Sequence, residues 1–555
     1  MAIRRDTRPR GAGYLPEVNK IDILNKEPNM SFSDHQLINR LVMKNLDDIF
    51  IDVQKKISEE SELEIDINHI KEYVGFPLDA EICEKLKKLI STDDPDDYTI
   101  FHHIEDVKII WKIIIEKSVK CLRYFDNREP FMKNPSKLPV AYGIQGLVDY
   151  YDQYTTFEDL LYGSNKYYRD HVVHVLRVWM IGNDLLLRDN GKYIKRIEIS
   201  LEKTSSCHIN ALEILSIWSL IAVTHDLGYP LEKSQLIIEK TQKMMKTFVS
   251  NPNITMDLSF SGVQNNMNDF VLRFMSSKME SKKDATEIDK KIYAARLQPK
   301  YYFKFQKALE NSQHDVVSAI IIYKLLIYFL ESDFSINEDY YFEKEEMRQF
   351  IIRREILRAI SSHTCSDIYH LYIDSLSFLL ILSDDCQEWG RKRISELYTS
   401  SDQKYELDDI LFNFETGTSI MNACVVKESF KLVNENVDAL NNILKSLFKQ
   451  CNNYMTVFRD GQETAKRDFK FSKISSIKHS CPSGDVNFRI EFIISNSQLA
   501  TFQIVVDKIH IDDLKKYDFT FIYKALKSEL NGLSSEKLIE AITAESVTYR
   551  IPCNR

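Results

Sequence analysis

Two histidines three residues apart lie in a stretch of the chain that otherwise has the pattern of a buried helix. The segment RDHVVHVLRVW, residues 169–179, contains His171 and His174 among valine, leucine and tryptophan. Residues at positions i and i+3 share one face of a helix, so both imidazoles point to the same side. Imidazole binds divalent metals and transfers protons near neutral pH, which are the two kinds of chemistry that this spacing indicates.

Further histidines and aspartates occupy the same kind of position, where an apolar helical stripe ends or becomes polar. They are His225 and Asp226 in SLIAVTHDLGYP, His314 in QHDVVSA, His363 in LRAISSHT, and Asp384 with Asp385 in SFLLILSDDCQEW. Helical spacing puts His363 on one face with Ile356 and Ile360, and it turns at least one of the two aspartates inward. A buried imidazole or carboxylate is costly unless it is paired or metal-bound. A shared metal site therefore explains the whole set.

The types of side chain in this set limit which metal they could bind. Neutral imidazoles and carboxylates suit divalent Mn, Fe, Zn, Mg, Co or Ni. The nine cysteines are scattered along the chain without a C-x-x-C pair, which argues against a structural cysteine zinc site and against a disulfide framework. Any one of these histidines taken alone has the simpler interpretation of a hydrogen-bonded core residue, and only the ordered set favours a metal site.

The order His, His-Asp, His, His, Asp along a helical region resembles the HD-domain superfamily of metal-dependent phosphohydrolases. The resemblance covers roughly residues 160–400 and depends on the segments RDHVVHVLRV, THDLGYP, QHDVVSA, AISSHT and LSDDCQEW. It implies a bundle of helices around one or two metal ions. It also implies hydrolysis of phosphomonoesters, phosphodiesters or nucleoside triphosphates.

The resemblance assigns metal ligands position by position. The expected ligands are His174, His225, Asp226, His314, His363 and Asp384. His171 stays open as the alternative to His174, and Asp385 as the alternative to Asp384. His314 and His363 match the additional histidines of dinuclear members, so two ions are expected, with Asp226 bridging them.

Catalytic and substrate-binding groups are also expected around these ligands. A metal-bound water would attack phosphorus in line, and His171 or a carboxylate such as Glu232 would relay a proton. Lys233 belongs to the expected catalytic set, and Arg169 and Arg391 are expected to bind phosphate oxygens. The competing interpretation of these three cations is that they are solvated surface charges.

The predicted function is hydrolysis of a phosphoester bond in a small phosphorylated substrate, with a nucleotide favoured. Triphosphohydrolases of the superfamily place further histidines just after the doublet, and the segment HDLGYPLEKSQ has none. Phosphodiesterase or phosphomonoesterase activity is therefore expected ahead of triphosphatase activity. The alternative is a catalytically idle HD fold that senses nucleotides or binds proteins in signalling or defence.

Composition and patterning predict a mainly helical protein with an HD-type helical bundle core, flanking N-terminal helices and a small C-terminal α+β domain. Glycine and proline are scarce, at 15 and 13 of 555 residues, and the net charge of −9 argues against a protein that coats nucleic acid. The longest apolar run, residues 316–330, is too short for a bilayer and carries Lys324, so a buried helix is expected there. We expect a cytoplasmic protein without a membrane partner, and a homo-oligomer stays open.

Five regions are expected along the chain. They are a flexible basic tail at 1–30, an N-terminal helical region at 31–159, the metal-binding domain at 160–400, a helical connector at 401–455 and the α+β domain at 456–555. A polar, lysine-rich insertion at about 235–312 interrupts the metal-binding domain and is expected to be a solvated excursion, with a lid as the alternative. Alternation in VNFRIEFIIS, TFQIVVDKI and SVTYRIP predicts strands, with helical patterns at 518–530 and 535–544 between them.

Overall fold

Helices form most of the protein, and a sheet lies near the C-terminus, as expected. The computed structural model of the chain describes residues 32–60, 75–90, 103–126, 143–164, 168–205, 207–248, 263–283, 291–332, 334–337, 339–364, 372–391, 403–414, 421–432, 437–458, 468–481, 484–495, 499–507 and 547–552. The tail at 1–30 and the helical patterns at 518–530 and 535–544 lie outside the described residues.

The described residues contain α-helices of 4 to 22 residues. In order they are α1 (Asp34–Val42), α2 (Asp47–Glu60), α3 (Ala80–Leu89), α4 (Ile104–Phe125), α5 (Gln145–Ser164), α6 (Val172–Leu187), α7 (Lys192–Ser205), α8 (Ala211–Thr224), α9 (Tyr229–Met245), α10 (Val263–Ser276), α11 (Pro299–Glu310), α12 (His314–Leu325), α13 (Ile327–Leu330), α14 (Lys344–Ser362), α15 (Leu376–Cys386) and α16 (Val437–Val457). The apolar run at 316–330 forms the buried α12 and the short α13, with a break at Leu326.

Helix α8 is the centre of the helical core, and every residue along it is buried. Helices α4, α6 and α14 pack around it. Gly182 in α6 permits a close contact with α8, because a Cβ atom there would lie 1.9 Å from Cζ2 of Trp218. The indole N–H of Trp111 in α4 donates to the carbonyl of Val223 at 2.7 Å. These contacts hold the end of α8, where the His-Asp doublet follows.

One stretch of this core would be long and apolar enough to cross a membrane by length and composition alone. It is Ala211–Met245, and its apolar window is completely buried inside the protein. Burial on all sides also explains why α8 shows no amphipathic pattern in the sequence, since a helix that is surrounded by other helices has no polar face.

Helix α1 is attached to the core through a buried ion pair. The guanidinium group of Arg177 in α6 donates to both carboxylate oxygens of Asp34, at 2.9 and 2.7 Å. The indole N–H of Trp389 donates to the same carboxylate at 3.0 Å. Gly390 follows with a φ of +69°, and a Cβ atom there would lie 2.5 Å from the Arg177 guanidinium. Asp34 thus joins α6 to the segment after α15.

The segment at about 235–312 is folded against the core, so the expectation of a solvated excursion is wrong for its described residues. It contains the end of α9, all of α10 and α11, and an antiparallel hairpin of β1 (Ser277–Lys283) and β2 (Lys291–Leu297). Apolar residues of α10 and α11 such as Leu272, Phe274 and Phe305 are buried. In the sequence, the polar residues that suggested an excursion made these short apolar stripes difficult to recognise.

A six-stranded sheet forms the C-terminal part of the described chain. Its strands lie in the order β3 (Gln403–Phe414), β4 (Met421–Leu432), β5 (Asp468–Cys481), β6 (Gly484–Ser495), β7 (Leu499–Asp507) and β8 (Val547–Pro552). Strands β4 and β5 are parallel and are separated in sequence by α16, whereas the other neighbours are antiparallel. The alternating patterns at 486–507 and 547–551 form β6, β7 and β8, as predicted.

The helical connector predicted at 401–455 is wrong, because that range contains β3 and β4 before α16 begins. The register between these two strands shifts between Leu407 and Asp409. An irregularity of this kind interrupts the period of two by which a strand is recognised. In β4 the inward position of Glu428 also breaks the apolar alternation, since this side chain is 2% exposed.

Candidate metal centre

Five helices bring their ends to one place in the core. His174 lies in the first turn of α6, where the carboxylate of Asp170 accepts hydrogen bonds from the backbone N–H groups of Val173 and His174 at 3.2 and 3.1 Å. His225 follows α8, His314 begins α12, His363 follows α14, and Asp384 lies in the last turn of α15. The expected ligands therefore come from separate helix ends that the packing of the core brings together.

The carboxylate of Asp226 lies at the middle of this cluster. Its Oδ2 is 3.4 Å from Nε2 of His225 and 3.8 Å from Nε2 of His174. Its Oδ1 is 3.5 Å from Nε2 of His314 and 3.6 Å from Nε2 of His363. Each oxygen of Asp226 thus faces a different pair of imidazoles.

Two groups of these side chains could hold a metal ion. One consists of His174, His225 and Asp384, and the other of His225, Asp226 and His363, with the ligand atoms of each group within 4.8 Å of one another. Asp384 completes the first group, because its Oδ1 lies 2.8 Å from Nε2 of His174. Imidazole nitrogen and carboxylate oxygen are suitable donors for the borderline divalent ions.

Each of the four imidazoles in the cluster is oriented by a hydrogen bond at Nδ1, on the side of the ring away from the centre. The Nδ1 atoms lie near acceptor oxygens, namely Gln387 Oε1 for His174 (2.5 Å), the Ala222 carbonyl for His225 (2.8 Å), Glu232 Oε2 for His314 (2.6 Å) and the Ile360 carbonyl for His363 (2.6 Å). An oxygen without a proton accepts, so each Nδ1–H donates. When such a ring is neutral, Nε2 carries a lone pair that is directed to the centre, as in a metal-ligating histidine.

The close approach of these Nε2 atoms fits a bound cation. The Nε2 atoms of His314 and His363 are 3.2 Å apart. The Nε2 atom of His225 is buried and has no hydrogen-bond partner among the residues that the structure describes. Lone pairs that face one another or a carboxylate are unfavourable unless a proton or a metal ion lies between them. The donor set therefore fits divalent metal ions.

The charges of the cluster favour a cation as well. Burial opposes ionisation of Asp226 and Asp384, but neighbouring histidines hold the pKa of both carboxyl groups well below the usual range. Burial also opposes a charge on His363, yet the nearby carboxylate of Asp226 raises the pKa of this imidazole to about 9. The carboxylates thus stabilise positive charge at the centre, whether protons or a metal ion supply it.

His171 and Asp385, the two open alternatives, lie outside both groups of possible ligands. The Nδ1 atom of His171 is 3.1 Å from the hydroxyl of Tyr168, and its ring stacks on Tyr229 at 3.9 Å. Burial lowers the pKa of His171 well below its ordinary value, so this ring is neutral. Asp385 interacts with Tyr454 in α16, and burial raises the pKa of this carboxyl to about 6.

The predicted cationic residues lie beside the centre and have partners of their own. Arg169 pairs with Glu388, and Nε of Arg391 donates to the carbonyl of Asp170 at 3.0 Å. Lys233 pairs with Glu232 and lies 4.8 Å from the centroid of the Tyr229 ring.

Glu232, expected as a possible proton relay, contacts His314. Its Oε2 accepts hydrogen bonds from both the backbone N–H and Nδ1 of His314. Burial opposes ionisation of Glu232, but His314 and Lys233 lower the pKa of its carboxyl to about 2. A carboxylate behind a histidine increases the basicity of the ring as a metal ligand.

The sequence interpretation missed several residues that support the centre. Gln387 orients His174, and its own amide donates to the carbonyl of Trp389 at 2.7 Å. Glu158 accepts hydrogen bonds from the hydroxyl of Tyr168 at 2.6 Å and from the backbone N–H of His171 at 2.7 Å. The position of Gln387 two residues after Asp385 was the available signal, whereas nothing in the sequence pattern singled out Glu158.

Comparisons with protein-family models, curated proteins and solved structures find no match to this chain. The described residues therefore define a class by their own features: a mainly helical protein with a buried cluster of histidines and aspartates that could hold metal ions.

Proposed function

We propose that this protein is a metal-dependent phosphohydrolase of the HD type that acts on a phosphoester bond of a small substrate. A nucleotide is the favoured substrate. The observation that carries the proposal is the position of Asp226, whose two oxygens face two different pairs of imidazoles. In the superfamily that the sequence resembles, the aspartate of the doublet bridges two ions. Resemblance and geometry thus support the same role for Asp226.

In this proposal the cluster holds two ions through its protein ligands. His174, His225 and Asp384 would hold one ion. His314 and His363, which lie 3.5 and 3.6 Å from Oδ1 of Asp226, would hold the other together with that carboxylate. Two divalent ions supply an acidified water and positive charge for the phosphoryl oxygens during an in-line displacement. The protein contributes rigid ligands, since each ring is held through its Nδ1–H.

His171 is the proposed proton acceptor. Its Nδ1–H donates to the hydroxyl oxygen of Tyr168, whose own proton goes to Glu158. The neutral ring therefore keeps a lone pair on Nε2, and its centroid lies 6.2 Å from that of His174. In this role Nε2 of His171 would accept the proton of the attacking water.

Arg169 and Arg391 are the proposed phosphate-binding residues. Each guanidinium group has more donors than its described partner uses, and the planar fork suits phosphate oxygens. For Lys233 we propose a supporting role, because its pairing with Glu232 helps to hold that carboxylate against His314. Residues around the metal ligands thus divide between substrate binding and ligand positioning.

The cytoplasm is the proposed location. The described cysteines are free, in keeping with a reducing compartment. The proposed partner is the small phosphorylated substrate, without a membrane partner or a coated nucleic acid, and a homo-oligomer stays open.

A phosphate-release screen with added Mn²⁺ tests the proposed function. The panel holds nucleoside monophosphates, cyclic nucleotides, dinucleotides and nucleoside triphosphates, and it compares the wild type with Asp226→Asn. Asp189→Asn is the control, because this exposed residue has a φ of 50°, which asparagine also tolerates.

We expect the wild type to hydrolyse at least one phosphodiester or phosphomonoester. The rate of phosphate release should fall by about 100-fold or more in Asp226→Asn, but not in Asp189→Asn. A metal-loaded protein that hydrolyses nothing in the panel, or a fully active Asp226→Asn, would support the alternative of an idle sensing or interaction module.

A further inference from the structure

Tyr229 is an aromatic residue that borders the candidate metal centre. It begins α9, just after the doublet that contains Asp226. Its ring stacks on His171 with 3.9 Å between the centroids, and it meets the ring of His314 nearly edge to face at 5.4 Å. The Nζ atom of Lys233, one turn further along α9, lies over the ring at 4.8 Å from its centroid. Residues of the centre therefore enclose the ring and fix its position.

The phenol hydroxyl of Tyr229 has no hydrogen-bond partner among the residues that the structure describes. The side chain is half-buried, and its oxygen is not one of the fully buried polar atoms, so this oxygen is accessible to solvent. Neighbouring tyrosines differ in this respect. The hydroxyl of Tyr168 donates to Glu158 at 2.6 Å, and that of Tyr150 donates to the carbonyl of Leu227 at 2.7 Å. Tyr229 thus offers a hydrogen-bond donor that a ligand at the centre can reach.

Charges of both signs act on this hydroxyl. Burial, together with the carboxylates of Asp226 and Glu232, raises the pKa of Tyr229 to about 12. The guanidinium groups of Arg391 and Arg169 act on it in the opposite direction. Electrostatic interactions are largely screened beyond about 10 Å at ordinary ionic strength. The hydroxyl therefore lies near both of the proposed phosphate-binding arginines and near the carboxylate at the middle of the cluster.

We propose that Tyr229 is a substrate-binding residue whose hydroxyl donates a hydrogen bond to a phosphoryl oxygen of the substrate. The proposal rests on the proposed function, and it adds a third donor to Arg169 and Arg391. A phenol with an ordinary pKa of about 10 keeps its proton at neutral pH, so it donates without adding a charge. Hydrogen bonds to charged acceptors are stronger than those between neutral groups. Since His171 and Lys233 already contact the ring, the hydroxyl is the group that Tyr229 has available for substrate.

Tyr229→Phe tests the proposal, because phenylalanine keeps the ring against His171 and removes only the hydroxyl. The matched control is Tyr302→Phe. Tyr302 is half-buried as well, but its hydroxyl donates to Asp269 in the contact between α10 and α11. Titration with Mn²⁺ should give the same metal affinity for both variants and the wild type, since neither tyrosine is a proposed ligand. A loss of Mn²⁺ affinity in Tyr229→Phe would assign this residue to holding the ligands and would overturn the proposal.

Calorimetric titration of the Mn²⁺-loaded full-length protein with inorganic phosphate measures the contact without turnover. The wild type should bind phosphate, and Tyr229→Phe should bind it about tenfold more weakly. Tyr302→Phe should bind phosphate as the wild type does. A wild type that binds no phosphate, or a Tyr229→Phe variant that binds it equally well, would overturn the proposal. Because this titration needs no hydrolysis, its outcome is distinct from that of the phosphate-release screen.

Steady-state kinetics on a substrate that the wild type hydrolyses distinguish substrate binding from a role in holding His171. A hydrogen bond made equally to the bound substrate and to the transition state lowers KM without changing kcat. Tyr229→Phe should therefore raise KM by about tenfold and leave kcat nearly unchanged. Displacement of the proposed proton acceptor would lower kcat instead. A lower kcat with unchanged KM and unchanged phosphate affinity would overturn the proposal.

Discussion

Asp384 and Asp385 are identical neighbours in sequence with opposite surroundings. Asp384 reaches Nε2 of His174 at 2.8 Å, whereas Asp385 interacts with Tyr454 of α16. Helical geometry explains the difference, since successive residues point about 100° apart around a helix. Substituting each aspartate in turn therefore distinguishes the loss of a metal ligand from the general effect of removing a carboxylate.

Asp384→Asn should lose metal affinity, whereas Asp385→Asn should keep it. The amide of the first variant removes a negative charge that is directed at the cluster, and we expect a fall of about 10-fold to 100-fold in Mn²⁺ affinity. Titration of the chelator-treated variants with Mn²⁺ measures this difference. Equal losses of Mn²⁺ affinity in both variants would contradict the claim that Asp384 points towards the cluster and Asp385 away from it.

Glu232→Gln should also weaken metal binding, although Glu232 is not one of the proposed ligands. The glutamine keeps an acceptor for His314 but removes the charge that makes the ring more basic, so affinity for the second ion should fall by about tenfold. Glu239→Gln is the control, because Glu239 is exposed on the same helix. The same Mn²⁺ titration checks the result, and an affinity equal to that of the control would exclude the proposed role of Glu232.

At the residue scale the sequence predicted the side chains that converge but not those that orient them. His225 and Asp226 were recognisable because an apolar stripe ended in two polar residues. The role of Gln387 was not recognisable, since it depends on how the chain turns after α15 and on the hydrogen bond to Trp389. Orienting groups act through geometry between distant segments, which a single sequence does not display.

Among the elements, the turn between α8 and α9 is packed directly against the start of α12. A Cβ atom on Gly228 would lie 2.4 Å from the carbonyl oxygen of His314 and 2.9 Å from the backbone nitrogen of Ser318. Both are backbone atoms, which cannot rotate away as a side chain can. The glycine is therefore required for the contact that brings the doublet next to His314.

Gly228→Ala should destabilise the protein by about 1–3 kcal/mol through this overpacking. Denaturant unfolding measures the change in the free energy of unfolding. The control is Gly146→Ala in α5, where the nearest atom to the new Cβ lies 3.6 Å away. That variant should be as stable as the wild type or more stable by up to about 1 kcal/mol. A Gly228→Ala protein as stable as this control would contradict the close packing.

The helices of the core could be predicted from apolar stripes, but β3 and β4 could not. The irregular register near Leu407 breaks the alternation of β3, and Glu428 occupies an inward position in β4. The packing of the segment at 235–312 against the core could not be predicted either, because polar connections separate its short apolar stripes. Tertiary contacts decided the structure in each of these places, and local patterns carry little information about them.

In the whole molecule, buried polar contacts hold the sheet together and join it to the helical core. Within the sheet, Lys473 of β5 is 2% exposed and pairs with Glu428 of β4 at 3.0 Å. The hydroxyl of Tyr405 in β3 donates to the carbonyl of Cys386 at the end of α15 at 3.1 Å. The sheet therefore lies directly behind the helix that carries Asp384, which gives the C-terminal region a structural link to the centre.

Lys473→Met should destabilise the protein by about 3–5 kcal/mol, because it leaves Glu428 buried without its partner. The double variant with Glu428→Leu should recover most of this loss, since a buried pair replaced by apolar residues is often neutral. Thermal and denaturant unfolding measure both variants. A single variant as stable as the wild type would show that the pair does not hold the sheet together.

Metal content is the most direct test of a dinuclear centre. Elemental analysis after saturation with Mn²⁺ and removal of unbound metal should find about two equivalents in the wild type. It should find a clear loss in the His225→Ala, Asp226→Ala double variant, with circular dichroism confirming that this variant is folded. One equivalent would contradict the second site at His314 and His363. A wild type that retains no metal would contradict the central claim.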